Sequence, residues 1–499
     1  MRTRSEMAGT LALVTLLVTS AAHAMDYRVE PTGLARDVLS NDSAVAKAAT
    51  DELRAMGPEG LGVLMYVYRR DISAHSGRAV AFPNFSPKAF AEICPDPQPT
   101  ALRLRQPALW AANPDAPIDP AERWKRIGAA IDAVAAQKDA SFSGLYWYTD
   151  LEQAKAAAQA SHKPILSLRL LGTLDTEFSC ANSRFFRTVL YANADVSKAL
   201  RERFVLHWQS VRPVPKVTID MGDGRVISRT ITGNSIHYVL DAEGRPVDAI
   251  PGLYGPKAFL RALGDADQLI GALAKVTDVG ARQVMLTDWH AERANKLTQQ
   301  WESDLATVTA GAGTSVPVNT TMVPVKGTPT ALQAARVAPA KAAVELNIVR
   351  VLAPRVAQLK ATTTDDAWTK IAALSAHVED AKLDEGSRAL VRTKQPAAAD
   401  AGRLAMAKRR VEDPLVRLVA NFERSIAEDT VRNEYGFHRT IHEWFAGRRP
   451  ETAAADVSRL NEKVYAELFL TPSSDPWLGL VPADAYSALE GDGVRAAAN

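Results

Sequence analysis

The stretch from Lys163 to Leu263 places the strongest limit on the fold, because short apolar runs and turn signals alternate there in a definite order. Short apolar runs separated by proline and glycine turns are typical of strands. Gly222-Asp223-Gly224 stands between two of the runs and indicates a hairpin. The predicted elements are a helix over 151–160, a strand over 165–171, helices to 190 and over 195–203, strands over 204–208, 217–219, 226–228, 236–240 and 247–250, and a helix after Gly255-Pro256.

Helical patterns flank this central stretch. Within 25–140 apolar residues recur at helical spacing, and residues 266–308 continue in the same way. Few charged or aromatic residues occur in 309–341, so we predict a linker there, followed by a helical C-terminal domain over 342–499. Its apolar cluster at 468–480 either packs back on a core or offers a patch to a partner. The central α/β region, 141–265, therefore lies between two mainly helical regions.

The N-terminus has the three-part pattern of an export signal. Arg2 and Arg4 precede an apolar run over 11–18, and Ala22-His23-Ala24 offers small residues for cleavage. We predict a signal peptide over 1–24, with an uncleaved anchor as the alternative, and a secreted or periplasmic protein. No later stretch is apolar enough to predict a membrane span. The net charge of +2 argues against a nucleic-acid partner, because such proteins concentrate basic residues on one face.

The chain has two cysteines, Cys94 and Cys180. In an oxidising compartment the two would form one structural disulfide. The alternatives for Cys180 are an inert buried thiol and a reactive thiol at the start of a helix, where Arg184 would favour the thiolate and the acidic residues Asp175 and Glu177 would oppose it. With two cysteines, sites that need several thiolates are improbable.

Residues 145–265 resemble the thioredoxin-like superfamily. Lys163-Pro164-Ile165-Leu166 is similar to the family's opening of the first core strand, and Cys180 falls at the first cysteine of the Cys-x-x-Cys motif. The segment 233–241 is similar to the one in which the family has its cis-proline. The resemblance implies an α/β thioredoxin-like central domain flanked by mainly α-helical N- and C-terminal regions.

Two positions depart from that family pattern. Ser183 replaces the second cysteine, so no thiol at this position can resolve a mixed disulfide. Ser235 stands at the position of the cis-proline, where we expect a trans bond, since a cis bond before a residue other than proline costs about 2.5–4 kcal/mol. The resemblance makes Asn234, Ser235 and Ile236 the candidate binding residues. We expect no cofactor.

Histidines offer further candidates. Glu434, His438 and His442 follow one face of a predicted helix, an arrangement that suits metal ligands as well as a helix packed among aromatic residues. His207 and His237 lie in predicted core strands, where they either approach each other or Cys180 as a base, or form local hydrogen bonds.

These observations favour an exported thioredoxin-like protein that lacks a dithiol reductase centre and binds a protein partner or serves as a scaffold in the cell envelope. The alternative is a monothiol disulfide oxidoreductase or isomerase, with Cys180 as nucleophile and a protein thiol or disulfide as substrate. A third hypothesis is a metal-dependent hydrolase in the C-terminal helices.

Overall fold

The computed structural model describes residues 31–83, 119–230, 234–310, 363–394, 414–447 and 456–478. The predicted signal peptide, Cys94 and all but the first two residues of the predicted linker lie outside these ranges. The described part is mostly helical, with a small mixed sheet in the middle of the chain. Helical regions on both sides of an α/β centre therefore agree with the prediction.

Helices α1 to α5 precede the sheet. Their bounds are Pro31–Asp37 (α1), Ser43–Ala55 (α2), Pro58–Val67 (α3), Arg69–Ser76 (α4) and Pro120–Ala135 (α5). Gly57-Pro58 lies at the junction of α2 and α3. Gly57 has a φ of 73°, a conformation that glycine adopts without strain, and Pro58 begins the next helix at a position that needs no N–H donor.

Helices and strands alternate in the centre. Their bounds are Leu151–Ser161 (α6), Ile165–Leu171 (β1), Ala181–Phe185 (α7) continuing into a π-helical turn at Phe186–Tyr191, Ala194–Arg203 (α8), Val205–Arg212 (β2), Lys216–Asp220 (β3), Val226–Thr230 (β4), Ser235–Leu240 (β5), Pro246–Pro251 (β6) and Pro256–Leu273 (α9). Side-chain caps define several helix starts; Asp150 accepts from the N–H of Gln153, and Asn193 accepts from the N–H of Val196.

The main sheet has the order β2-β1-β5-β6. Strand β1 is parallel to β2, whereas β5 is antiparallel to both β1 and β6. Every residue of β1, β5 and β6 is buried, as expected for strands covered on both faces. The hairpin β3–β4 is a separate two-stranded sheet, and its pairing of Ile219 with Ile227 agrees with the predicted hairpin.

Helices after the sheet complete the described part. Their bounds are Val279–Thr309 (α10), Asp365–Ala372 (α11), Ser375–Asp380 (α12), Glu385–Lys394 (α13), Pro414–Arg432 (α14) continuing into a π-helical turn at Asn433–His438, Arg439–Ala446 (α15), and Val457–Lys463 (α16) continuing into a π-helical turn at Val464–Leu468.

Large hydrophobic cores hold these described elements together. One belongs to the N-terminal helices and includes Leu53, Leu64 and Ile131. Another contains the central sheet together with the C-terminal helices. Within the predicted apolar cluster at 468–480, the residues Leu468, Phe469, Leu470 and Leu478 are buried. The C-terminal helices therefore pack on the sheet and share its core.

Among the helices described, none combines the length and the apolar character that crossing a membrane requires.

Candidate functional site

Cys180 directly precedes the first residue of α7 and ends the loop that follows β1. Its side chain is fully buried and carries a free thiol. The sulfur is 2.8 Å from Oγ of Ser235, 3.2 Å from Oγ of Ser183 and 4.0 Å from the carbonyl oxygen of Asn234. Ser183 in turn donates to the carbonyl of Cys180. Neutral hydroxyls therefore surround the sulfur, and a general base is absent from its hydrogen-bond partners in the described part of the chain.

The charged residues predicted near the thiol have other partners. Arg184 donates to the hydroxyl of Thr230 at 3.0 Å, and Glu177 pairs with Lys394 at 3.2 Å. Burial opposes ionisation of Glu177, yet Lys394 holds the pKa of that carboxyl below its ordinary value. Arg187 donates to the carbonyl of Thr176 at 2.8 Å and fixes the loop before Cys180. The hydrogen bonds described for the Cys180 sulfur go to Ser183, Asn234 and Ser235, and to none of these charged side chains.

Residues 464–478, which we call the C-terminal cover, close the space beside Cys180. The Tyr465 hydroxyl donates to the carbonyl of Asn234 at 3.0 Å, and the Asn234 amide donates to the Thr471 hydroxyl at 3.0 Å. Arg212 donates to the carbonyls of Asp475 at 2.8 Å and Pro472 at 3.0 Å, and also to that of Thr471. The main-chain carbonyl before Ser235 is therefore engaged by the chain itself.

The three candidate binding residues lie under this cover. Asn234, Ser235 and Ile236 are all buried, with at most 3% of their surface exposed. No cis peptide bond occurs in the described chain, so the bond before Ser235 is trans as expected. In this arrangement a partner reaches these residues only if the cover moves.

His207 and His237 lie on opposite faces of the sheet. His207 is in register with Ser167, and His237 is in register with the next residue of β1, Leu168. Successive residues of a strand point to opposite faces. Each histidine has a local partner instead: Nδ1 of His207 is 2.8 Å from Oγ of Ser167, and Nε2 of His237 is 2.7 Å from the Tyr191 hydroxyl. The two therefore do not meet, and neither hydrogen-bonds to Cys180.

A second buried polar centre forms around His438 and His442. Two residues that the sequence analysis did not select join them: Asp248 from β6 and His290 from α10. Nδ1 of His290 is 2.7 Å from Nδ1 of His442, and Nε2 of His438 lies 3.1 and 3.3 Å from the carboxylate oxygens of Asp248. We call these four side chains the Asp–His cluster. An aspartate within an otherwise apolar predicted strand was the sequence signal for Asp248.

Burial and mutual contact set the protonation of this cluster. Burial alone would raise the pKa of Asp248, but His438 and His442 hold it below its ordinary value. Burial lowers the pKa of His290 to about 4 and that of His442 well below its ordinary value. Near neutral pH, His290 and His442 are thus neutral and Asp248 is ionised. An ionised carboxylate and neutral imidazoles are the forms that ligate metal ions.

A cavity of about 690 Å³ adjoins the Asp–His cluster, between α9, α10, α12 and the helix through residues 434–442. Asp248, His438 and His442 line its floor, and Glu434 lines it one helical turn before His438. Burial raises the pKa of Glu434, whose carboxylate makes no hydrogen bond or ion pair with any described residue. Basic side chains also line the cavity, among them Arg261 and Arg293. Cavities of this size accept small molecules.

A scan against models of protein families found no match, and neither the search of curated proteins nor that of solved structures found a similar protein.

Proposed function

We propose that this is an exported protein whose thioredoxin-like central domain has no dithiol reductase activity and acts as a protein-binding scaffold in the cell envelope. Support for the fold comes from the order of elements: β1, a helix that Cys180 precedes, the parallel strand β2, the antiparallel strands β5 and β6, and a closing helix. This is the order that the resemblance to thioredoxin-like proteins implies, with the hairpin β3–β4 inserted.

One observation carries the functional part of the proposal: the sulfur of Cys180 is buried and the C-terminal cover engages the carbonyl of Asn234. Thiol–disulfide exchange needs an accessible thiolate and, for a dithiol reductase, a second thiol. Ser183 removes the second thiol, and the cover removes access to the first.

Restoring the missing thiol separates these two effects. We expect Ser183→Cys to reduce insulin no faster than the wild type, because the restored pair still lies beneath the cover. A variant that adds Tyr465→Ala to Ser183→Cys loosens the cover, and we expect it to gain activity, with Tyr465→Ala alone as the control. Reductase activity in Ser183→Cys alone would contradict the proposed closure.

The alternative function, a monothiol oxidoreductase or isomerase, is tested on the unmodified chain. Isomerisation of a scrambled disulfide substrate by the wild type, lost in Cys180→Ser, would establish the alternative and overturn the scaffold proposal. Equal background rates for the two proteins are the result that we expect.

An exposed apolar surface supports the protein-binding role. Val217, Ile219 and Ile227 lie on one face of the β3–β4 hairpin and are 40–50% exposed. Neighbouring exposed apolar side chains mark interaction sites more often than single exposed apolar residues do. We expect a partner cross-linked in the envelope of the producing cell to be lost in Ile219→Lys and retained in Val279→Lys, since Val279 is an exposed apolar residue on α10. Equal retention in both variants would exclude the hairpin as the binding surface.

A further inference from the structure

The Asp–His cluster brings ionisable side chains from three separate elements into the interior. Asp248, His290 and His442 are at most 3% exposed, and His438 is 5% exposed. Burying such groups is costly unless each has a partner or they hold a metal ion. The cluster lies apart from the Cys180 region, so a role in metal binding does not rest on the proposed function.

The distances within the cluster suit a shared cation. One ligating atom from each of Asp248, His290 and His442 lies within 4.8 Å of the other two. Nδ1 of His442 is 2.7 Å from Nδ1 of His290 and 3.9 Å from a carboxylate oxygen of Asp248. In a tetrahedral zinc site with bonds of about 2.0–2.2 Å, neighbouring ligand atoms are about 3.3–3.6 Å apart. Small side-chain rotations therefore convert this arrangement into a coordination site.

A backbone carbonyl determines which ring nitrogen of His290 carries the proton, and it leaves the other nitrogen available to ligate a metal ion. Nε2 of His290 is 2.9 Å from the carbonyl oxygen of Val247. A carbonyl oxygen only accepts, so Nε2 carries the proton and the lone pair of Nδ1 points toward His442 and Asp248. Metal-bound histidines commonly donate their other N–H to a backbone carbonyl in this way.

His438 acts on the cluster through Asp248. Its Nε2 lies against both carboxylate oxygens, and its ring stacks on that of His442 with 4.2 Å between centroids. Donation of a hydrogen bond to a ligating carboxylate orients that ligand. We therefore treat His438 as a positioning residue and the other three as ligands.

A polar group without a partner adjoins the cluster. The hydroxyl of Tyr254 is buried and has no hydrogen-bond partner among the described residues, and the ring of Tyr254 lies edge-on to His438 at 6.3 Å. The Tyr254 side chain is 1% exposed and lies close enough to Asp248 and Glu434 to sense their charges. Buried polar atoms left unpaired in a native protein point to a water or an ion bound beside them.

We propose that Asp248, His290 and His442 bind one divalent transition-metal ion, with the remaining coordination position directed into the adjoining cavity. Two imidazoles and one carboxylate select zinc and its neighbours over calcium or magnesium, which take mainly oxygen ligands. Three protein ligands with one open position are the arrangement of catalytic zinc sites. Glu434 lines the same cavity and lies within reach of a ligand that enters it.

Metal content is measured on the full chain, purified without a histidine tag, stripped with a chelator, loaded with Zn²⁺ and passed through gel filtration. We expect about one zinc ion per chain in the wild type and less than a tenth of that in His442→Phe and Asp248→Asn. His207→Gln is the matched control, because His207 is a buried histidine outside the cluster, and this variant should retain the wild-type content. Circular dichroism verifies that each variant is folded.

Replacement of zinc by Co²⁺ gives a second readout. We expect Co²⁺ bound to the wild type to show visible absorption bands of the intensity typical of tetrahedral coordination. These bands should be absent in His442→Phe. For His438→Gln we expect a 10–100-fold weaker zinc affinity with unchanged stoichiometry, as is usual when a residue that orients a ligand is lost. This milder variant keeps the test decisive if the ligand variants fail to fold.

Zinc at less than a tenth of an ion per folded wild-type chain, or equal zinc in the wild type and Asp248→Asn, would overturn the proposal.

Discussion

The Cys180 centre and the Asp–His cluster are both buried against the same sheet, yet they differ in composition and access. Neutral hydroxyls surround the Cys180 sulfur, and the C-terminal cover lies over it. In the Asp–His cluster the groups are ionisable, and three of them line a cavity of about 690 Å³. Cys180 and Ser235 are thus enclosed, whereas Asp248, His438 and His442 adjoin open space. Whether a ligand can reach a site depends on which segment, distant in sequence, packs over it. The residues of a local motif do not specify that segment.

The largest expected difference between the two centres is in stability. Removing the Asp248 carboxylate leaves the N–H of Ala249 and the ring of His438 without their buried acceptor. We expect Asp248→Ala to lower the free energy of unfolding by about 3–5 kcal/mol. Cys180→Ala deletes one buried heavy atom and should cost about 1 kcal/mol. Urea denaturation at pH 7 measures both, and equal losses would contradict the contrast between an ionic and a neutral centre.

Buried histidines outside the cluster predict a pH dependence. Burial lowers the pKa of His207 and that of His237 to about 3, compared with about 6.5 in the unfolded chain. Between these values the unfolded chain binds more protons, so stability is complete above pH 6.5 and is lost as the pH falls. We expect each histidine to remove about 2 kcal/mol between pH 7 and pH 5.

His237→Phe tests this contribution, since phenylalanine suits a site between Phe186 and Phe259. The slope of unfolding free energy against pH should be smaller in this variant than in the wild type. An unchanged slope would show that His237 does not titrate on unfolding. The comparison separates histidines that are merely packed in the core from those of the cluster.

Removing the Tyr465 hydroxyl tests whether the C-terminal cover limits access to Cys180. Tyr465→Phe removes the donor to the carbonyl of Asn234 and should lower the free energy of unfolding by about 1 kcal/mol. Because local opening becomes easier, alkylation of Cys180 under native conditions should accelerate about fivefold. Thr218→Val on the exposed hairpin is the control and should leave the labelling rate unchanged. A Tyr465→Phe rate equal to that of the wild type would mean that another segment limits access.

The smallest expected effect lies on the β3–β4 hairpin. Ile219 is 50% exposed, so Ile219→Lys should change the free energy of unfolding by less than about 0.5 kcal/mol. A thermal melt compared with the wild type provides the measurement. A larger loss would place this side chain in a packed interface and remove the hairpin as a free binding surface.

Local patterns accounted for much of the central region. The prolines at 164 and 256 and the turn at 222–224 predicted where elements begin and end, and β1, β6 and the hairpin were anticipated from short-range pattern. Half of the Asp–His cluster was anticipated too, because His438 and His442 share a helix face. Asp248 and His290 were missed because they lie far from these histidines in the chain.

The sequence by itself determined the order of strands and helices, the presence of a hydroxyl and not a thiol at Ser183, and the spacing of His438 and His442, since each depends on residues close together in the chain. Tertiary structure alone decided that Tyr465 lies over the segment beside Cys180 and that β6, α10 and α15 meet at Asp248. Both outcomes require contacts between residues more than 40 positions apart. Such contacts follow from how buried surfaces fit together, and local propensity and periodicity do not encode that fit.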